Sequence, residues 1–594
     1  MLNPIRTLQV RFSKFLPICF GILLITFASP YSYGQGALGI DPTRRSGEIP
    51  PLLEDQPYRK PPGSVLPPLP LPQKEELGQL PLIRIFIREI NITGNTVFTR
   101  EELAEVLESY ENRELTNEDL ETLRLKLTLF YINNGYVNSG AVIPDQSVAD
   151  GVITFHIIEG ELTRIEVEGN RWFRDSYIRK RLALGAGRPL NINSLQQSLR
   201  LLQEDSRIHQ VNAELTPGLK PGESFLKAGV KDRFPYGVGM VFNNYQSSTI
   251  GAERWTTTVS NQNLLGLGDL LSLSYGGSEG LKRQINASYT IPINARDTTL
   301  SLQYRMNDFD VVEEPFAPLD IRTETENYNI TLRHPIYRST NHEFALAITG
   351  EQLHSETFLL HEPFSFSAGE KRGKSNITAL RFAQEWTNRT QNQVIASRSR
   401  FSVGIDVLGA TNNRSGNSNG VADGQFFSWL GQFQWARRLK LLDIQTLFRT
   451  DIQLANKPLL PLEQIAVGGR YSVRGYRENL MVRDNAFITS FETCVPIVQN
   501  KRWADYVELV PFVDYGKSWF GRAWNRKEPH TPDPKAIASI GVGVRWAVTL
   551  PEPIQIRPQF EFFWGHRLNN VKTSSGDHDL QDDGIHFQFS LGLF

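Results

Sequence analysis

Cysteine is almost missing from this sequence. The 594 residues hold only Cys19 and Cys494, and Cys19 falls inside the leader described below. A lone thiol excludes an internal disulfide and any cysteine-based metal cluster. Net charge is missing too, since 63 Lys+Arg against 64 Asp+Glu leave −1, so no global field draws in nucleic acid. Beyond the leader, no stretch approaches the eighteen or so apolar residues that a membrane-crossing helix needs. Neither H-E-x-x-H nor G-x-x-x-x-G-K-[ST] occurs, and the ten histidines are scattered, which argues against a metal site and against nucleotide binding. Two weak motif matches dissolve on inspection. "GGSEG" (276–280) fits the G-x-S-x-G nucleophile pattern but lies between two alternating segments, as a hairpin turn does. "GQGALG" (34–39) fits G-x-G-x-x-G with no strand before it. The chain therefore reads as a non-enzyme without cofactor.

What is present is strongly organised. Arg6, Arg11 and Lys14 precede an apolar core, Phe15 to Ala28, and Ser32-Tyr33-Gly34 supplies a small-x-small site. Residues 1–34 are thus expected to be an export signal. Residues 35–82 follow as a linker, whose run "PPLLEDQPYRKPPGSVLPPLPLP" (50–72) holds prolines at a density that no helix or sheet tolerates.

An internal repeat comes next. "INITGNTVF" (90–98) and "IEVEGNRWF" (165–173) align at one constant offset, Ile90 on Ile165, Gly94 on Gly169, Asn95 on Asn170 and Phe98 on Phe173. Leu103, Leu107, Leu115 and Leu120 meet Ile178, Leu182, Leu190 and Leu195 in the same register. Each copy reads as strand, Gly-Asn turn, short helix, then a second helix opened by Thr116 or Asn191, then a closing strand. Leu120, Leu123, Leu127 and Tyr131 have helical spacing and are expected in the core. The two units are placed at 83–160 and 161–235.

From about Tyr236 to Phe594 the helical period gives way to strict alternation, as in Leu271-Ser-Leu273-Ser-Tyr275 and Ile540-Gly-Val542-Gly-Val544-Arg-Trp546. Apolar dyads ending on aromatics, with Ser, Asn, Gln and Thr between, fit a transmembrane antiparallel β-barrel with a wet lumen. The final segment, Ile585 to Phe594, alternates in the same way and is expected to close the barrel, leaving no edge in lipid.

The ordered strings "GNTVFTREEL", "GYVNSGAVIPDQSVADGVITFHIIEG", "GRPLNINSLQQSLRLLQED", "NLLGLGDLLSLSY", "SVRGYRE" and "PFVDYG" resemble the outer-membrane transporters of two-partner secretion, the haemolysin-activator type among POTRA-bearing barrels. The resemblance implies a barrel of sixteen strands preceded by two α+β POTRA domains. It implies a bacterial outer-membrane location with the POTRA domains in the periplasm, and export of a large partner exoprotein that those domains recognise unfolded. It also implies contact with outer-membrane lipid and dependence on the barrel-assembly machinery for insertion. The alternative, assembly of other barrels, is disfavoured by having two repeats and by these strings. Family members often carry a plug helix ahead of the linker; here Gln35 to Ile49, with Pro42 and several glycines, leaves room for hardly two turns, so the sequence gives that plug no support.

The resemblance further implies a site. "GGRYSVRGYREN" (468–479) lies in a connection of roughly thirty residues (455–485), long for a hairpin. In the family this loop folds into the pore, and its arginine pairs with the aspartate of an F-x-D-x-G strand. Val473, Arg474, Gly475 and Tyr476 on the loop, with Phe512, Asp514 and Gly516 on the strand, are therefore expected to form a latch. Separately, Arg171, Arg174, Arg179, Lys180, Arg181 and Arg188 form a basic cluster in the second repeat. It is read as a candidate substrate-binding surface, against the more ordinary reading of a solvated helix face.

Overall fold

The computed structural model describes Leu66 and residues 84–148, 150–367, 369–413, 421–439, 443–521, 534–550, 556–569, 571 and 578–593. The leader, the segment read for a plug and the proline-rich run lie outside the described residues, except for Leu66, which is buried in the core of the second repeat.

Both repeats fold as strand, helix pair and returning strands. In the first, Glu89–Thr93 runs parallel to Val152–Ile158, which pairs on its other side with Gly140–Val142. Helices α1 (Arg100–Leu107) and α2 (Asn117–Asn133) cover this sheet. Thr99 with Glu102 and Thr116 with Asp119 form reciprocal capping boxes at their starts, satisfying N–H groups that the first turn leaves free. Leu120, Leu123, Leu127 and Tyr131 fill the core between helix and sheet. The second repeat places Glu161–Glu168 parallel to Glu223–Asp232, itself antiparallel to Ile208–Pro217, under α3 (Asp175–Ala183) and α4 (Ile192–Gln203). Asn191 caps α4 through Asn193 N.

Sixteen long antiparallel strands then close on themselves. In order they are β1 Tyr236–Asn243, β2 Arg254–Asn261, β3 Leu270–Gly277, β4 Leu281–Pro292, β5 Thr299–Asp310, β6 Arg322–Arg338, β7 His342–Leu359 and β8 Lys374–Arg389. They continue with β9 Gln393–Gly404, β10 Phe427–Leu439, β11 Ile444–Ala455, β12 Asn485–Lys501, β13 Ala504–Trp519, β14 Ala536–Ala547, β15 Ile556–Arg567 and β16 Ile585–Leu593. A two-residue strand, Glu362–Pro363, folds back on the end of β7. β16 pairs with β1, completing the ring.

The alternation has the sense of a membrane barrel. On β3, Leu273 and Tyr275 face outward and are exposed, while Ser272 and Ser274 are buried inside. No described helix is long and apolar enough to cross a membrane; this chain crosses with strands. β1 leaves directly from the second repeat, so odd-numbered strands end at the mouth distant from the repeats. The connection after β11 therefore starts at the distant mouth.

Candidate functional site

That connection turns back into the barrel. Ile465–Val467 pairs with Met481–Arg483 as a small hairpin, and its tip carries the glycine- and arginine-rich string. The lumen wall beside it breaks the polar rule: Leu430 on β10 and Ile488 on β12 face inward and join Ile465, Val467, Val473, Tyr476 and Met481 in one apolar cluster. Here the wall is apolar because the loop, rather than water, covers it.

Arg474, next to Val473 of this cluster, has only 2 % of its surface exposed. Its Nε donates to Asp514 Oδ2 at 2.7 Å and its Nη2 to Asp514 Oδ1 at 2.8 Å, while its backbone N–H reaches Oδ2 at 3.0 Å. This is a bidentate fork, which fixes orientation as well as charge. Nη1 donates to Glu492 Oε2 at 2.7 Å, and Ser490 Oγ takes a further bond from Nη2 at 3.0 Å. The guanidinium lies 3.6 Å over the Phe512 ring, a stacked cation–π contact.

The spacing of the strand motif follows from this packing. Phe512 supports the guanidinium and Asp514 takes it. Gly516, on the same inner face, makes room, because a Cβ there would come within 2.4 Å of Val467 Cγ1 and 2.8 Å of Val473 Cγ2. Gly475 has φ of +88° and lies against Gly565 of β15, whose carbonyl oxygen would be 2.6 Å from an added Cβ. Both the left-handed backbone and the close approach need glycine. The Gly475 N–H donates to His586 Nε2 at 3.1 Å, and its carbonyl accepts from Arg567 Nε at 2.6 Å. The Tyr476 hydroxyl donates to the Ala538 carbonyl at 2.9 Å and accepts from Asn569 N at 3.2 Å.

Several participants carry no sequence-level signal of their own. Arg545 of β14 bridges to Glu492 at 2.8 Å, and Arg470 of the loop to Glu561 at 2.8 Å. Three guanidiniums and three carboxylates thus alternate across one patch of the wall. The stem of the loop is held elsewhere. Arg381 of β8 grips Glu463 at 2.6 and 3.1 Å and also donates to Glu351 of β7 at 2.5 Å. Beyond the tip, Arg477 pairs with Glu313, between β5 and β6, and with Asp582, between β15 and β16. A charge in the middle of a strand's polar face, as at Glu492, is the signal that could have found them. The Arg381–Glu463 pair joins residues 82 apart, a spacing to which no periodicity points.

The structure does not bring the basic cluster of the second repeat together as one surface. Arg181 turns toward the barrel and pairs with Asp297 in the β4–β5 turn, over the Tyr177 ring. Arg188 pairs with Glu161 at 3.2 Å while largely exposed. The Arg174 backbone N–H donates to Gly266 O, in the β2–β3 turn, at 2.9 Å, and Arg171 lies 5.0 Å over the Trp172 ring. Arg179 and Lys180 are exposed, and Arg179 lines a groove of about 540 Å³ along Thr163 to Glu168. Among the described residues no group of His, Cys, Asp and Glu could hold a metal ion.

Comparison with known proteins places this geometry. Residues 222–546 match the family model "Haemolysin secretion/activation protein ShlB/FhaC/HecB", and residues 85–160 match the POTRA domain of ShlB type. The outer membrane transporter CdiB of Dickeya dadantii (strain 3937) is 20% identical over 66% of this chain and 69% of its own length. The heme/hemopexin transporter protein HuxB of Haemophilus influenzae (strain 86-028NP) is 21% identical over 80% of this chain and 82% of its own. In fold, the solved structure of CdiB from Escherichia coli superposes with a TM-score of 0.65 at 18% identity, covering 88% of this chain and 92% of that one. The chain belongs to the haemolysin secretion/activation family: it is an outer-membrane transporter of two-partner secretion, with its POTRA domains in the periplasm, that exports an exoprotein across that membrane.

Proposed function

We propose that the inward loop is the latch of this export channel. The observation that carries this is the Arg474 fork on Asp514 and Glu492, buried in a lumen that an exported chain must cross. Docked, the loop occupies part of that path. Glu463, held by Arg381 on a different part of the wall, keeps the stem fixed, so that release begins at the tip. Removing one partner of a buried ion pair strands the other's charge, which makes Arg474 the contact whose loss frees the loop. No motor motif occurs in the sequence, and the reading needs none if the partner folds outside the cell.

The partner is a large exoprotein that enters from the periplasm through the POTRA pair. The strand Glu161–Glu168 is a sheet edge whose outer side pairs with no described strand, and the groove beside it is lined by Arg179. An extended chain can add there as a further strand, main-chain bonds giving affinity and side-chain pockets giving selectivity. Of the basic cluster, Arg179, which lines that groove, is the residue we assign to that edge.

The test is paired. Arg474→Ala protein, inserted at normal levels, should show altered single-channel conductance in planar bilayers together with reduced export of its cognate exoprotein. Unchanged conductance and export would refute the latch.

A further inference from the structure

The two POTRA units share a turn but dress it differently. In both, a carboxylate at the end of the neighbouring strand gathers the backbone N–H groups of the turn that follows the Gly-Asn pair. Glu159 takes Thr96 N at 2.6 Å and Val97 N at 3.2 Å. Asp232 takes Arg171 N at 3.0 Å, Trp172 N at 2.5 Å and Phe173 N at 2.9 Å. The geometry is common, yet the first unit shows Thr96-Val97 where the second, the one against the barrel, shows Arg171-Trp172.

Trp172 is only partly buried and lies outside the core of its unit. It meets Phe234 edge-on at 6.0 Å and Tyr236 at 6.2 Å, and those two rings lie 5.3 Å apart. The turn is seated beside the β2–β3 turn, where a Cβ on Gly266 would lie 3.0 Å from the Trp172 carbonyl oxygen, and that turn carries Leu264 and Leu265. Phe234, Tyr236, Leu264 and Leu265 are between 45 and 63 % exposed. Tyr236 opens β1 in the same outward row as Met240 and Phe242, both exposed on the barrel's outer face. The patch is therefore continuous with the lipid-facing belt. Arg171, Arg174 and Arg233 stand exposed at its rim.

We propose that this patch is a membrane-contact surface, with Trp172, Phe234 and Tyr236 seated in the headgroup region of the periplasmic leaflet and Arg171 and Arg174 on phospholipid phosphates. Aromatic side chains with a polar edge favour that depth, and basic side chains beside it gain from anionic headgroups. Contact there fixes the second POTRA unit against the leaflet at the base of the pore, adding to the Arg181–Asp297 pair. The first unit, with Thr96 and Val97, has no such foot.

The full chain is reconstituted in phosphatidylethanolamine vesicles carrying acyl-brominated phospholipid, and the emission of Trp172 is taken as the difference between the protein and its Trp172→Phe variant. The difference emission should be blue-shifted and lose most of its intensity to the bromines. Adding phosphatidylglycerol should deepen the quenching, and a variant carrying both Arg171→Gln and Arg174→Gln should abolish that added response. A water-like, unquenched difference emission overturns the proposal. So does a blue shift that arises only when an exoprotein fragment is added, because the patch then belongs to the passenger. An undiminished phosphatidylglycerol response in the double variant overturns the phosphate contacts.

Discussion

The POTRA cores and the barrel lumen are built by opposite rules from much the same residues. In the second repeat, Leu195, Leu199 and Leu226 are fully buried, and the ion pair Lys227–Glu168 lies at the surface with about half of each side chain exposed. In the barrel, Leu273 and Ile540 are exposed to the lipid side, and Arg474, Asp514 and Glu492 are buried. The first region is held by apolar area removed from water. The second holds its loop by charges that cannot be left alone. A single buried arginine should therefore matter most in the barrel, a buried leucine most in the POTRA units, and an exposed pair little anywhere.

The largest effect is expected from Arg474→Ala. It strands Asp514, while Glu492 keeps Arg545, and should weaken docking of the loop by about 4 kcal/mol, read as new protease cleavage within 456–484 in inserted protein. Next is Leu195→Ala in the second repeat, which should cost about 3 kcal/mol by opening a cavity in a packed core. It should lower the thermal midpoint of the POTRA region while leaving cleavage of the loop unchanged. Gly516→Ala separates charge from fit. It leaves every ionised group in place but drives a methyl toward Val467 and Val473, and overpacking of this kind costs about 2 kcal/mol. The same cleavage should appear at a lower level. If Gly516→Ala is silent, the loop is held by charge alone. Smallest is Lys227→Ala, which should change stability by less than about 1 kcal/mol, as exposed pairs do. A larger loss would break the contrast between the regions.

Much of this architecture was legible in the residues. The period of two from Tyr236 onward gave the barrel, because a strand with one lipid face must alternate. The register of Ile90 on Ile165 gave the paired α+β units. The Arg474–Asp514 pairing came from the resemblance of "SVRGYRE" and "PFVDYG" to a family pattern; its partners Glu492, Arg545, Glu561 and Arg470 did not. Each sits on a different strand or on the loop, and contacts across a barrel leave no local spacing to read. For the same reason Arg181 was grouped with Arg179 and Lys180, its neighbours in sequence, although its partner Asp297 lies 116 residues away. Helix α3 sends Arg181 to the barrel and leaves Arg179 and Lys180 in water, a division that charge counting along the chain cannot make.

The central claim is that Arg474 and Asp514 act as one unit that holds the loop in the pore. A double-mutant cycle on exoprotein secretion tests it most directly, using Arg474→Ala, Asp514→Ala and both together, with the amount of inserted protein matched in each strain. Once Arg474 is gone the loop is free, and removing Asp514 as well should add little, so the double variant should secrete about as the Arg474→Ala protein does. Losses that simply add would show that the two residues work independently, and would contradict the latch.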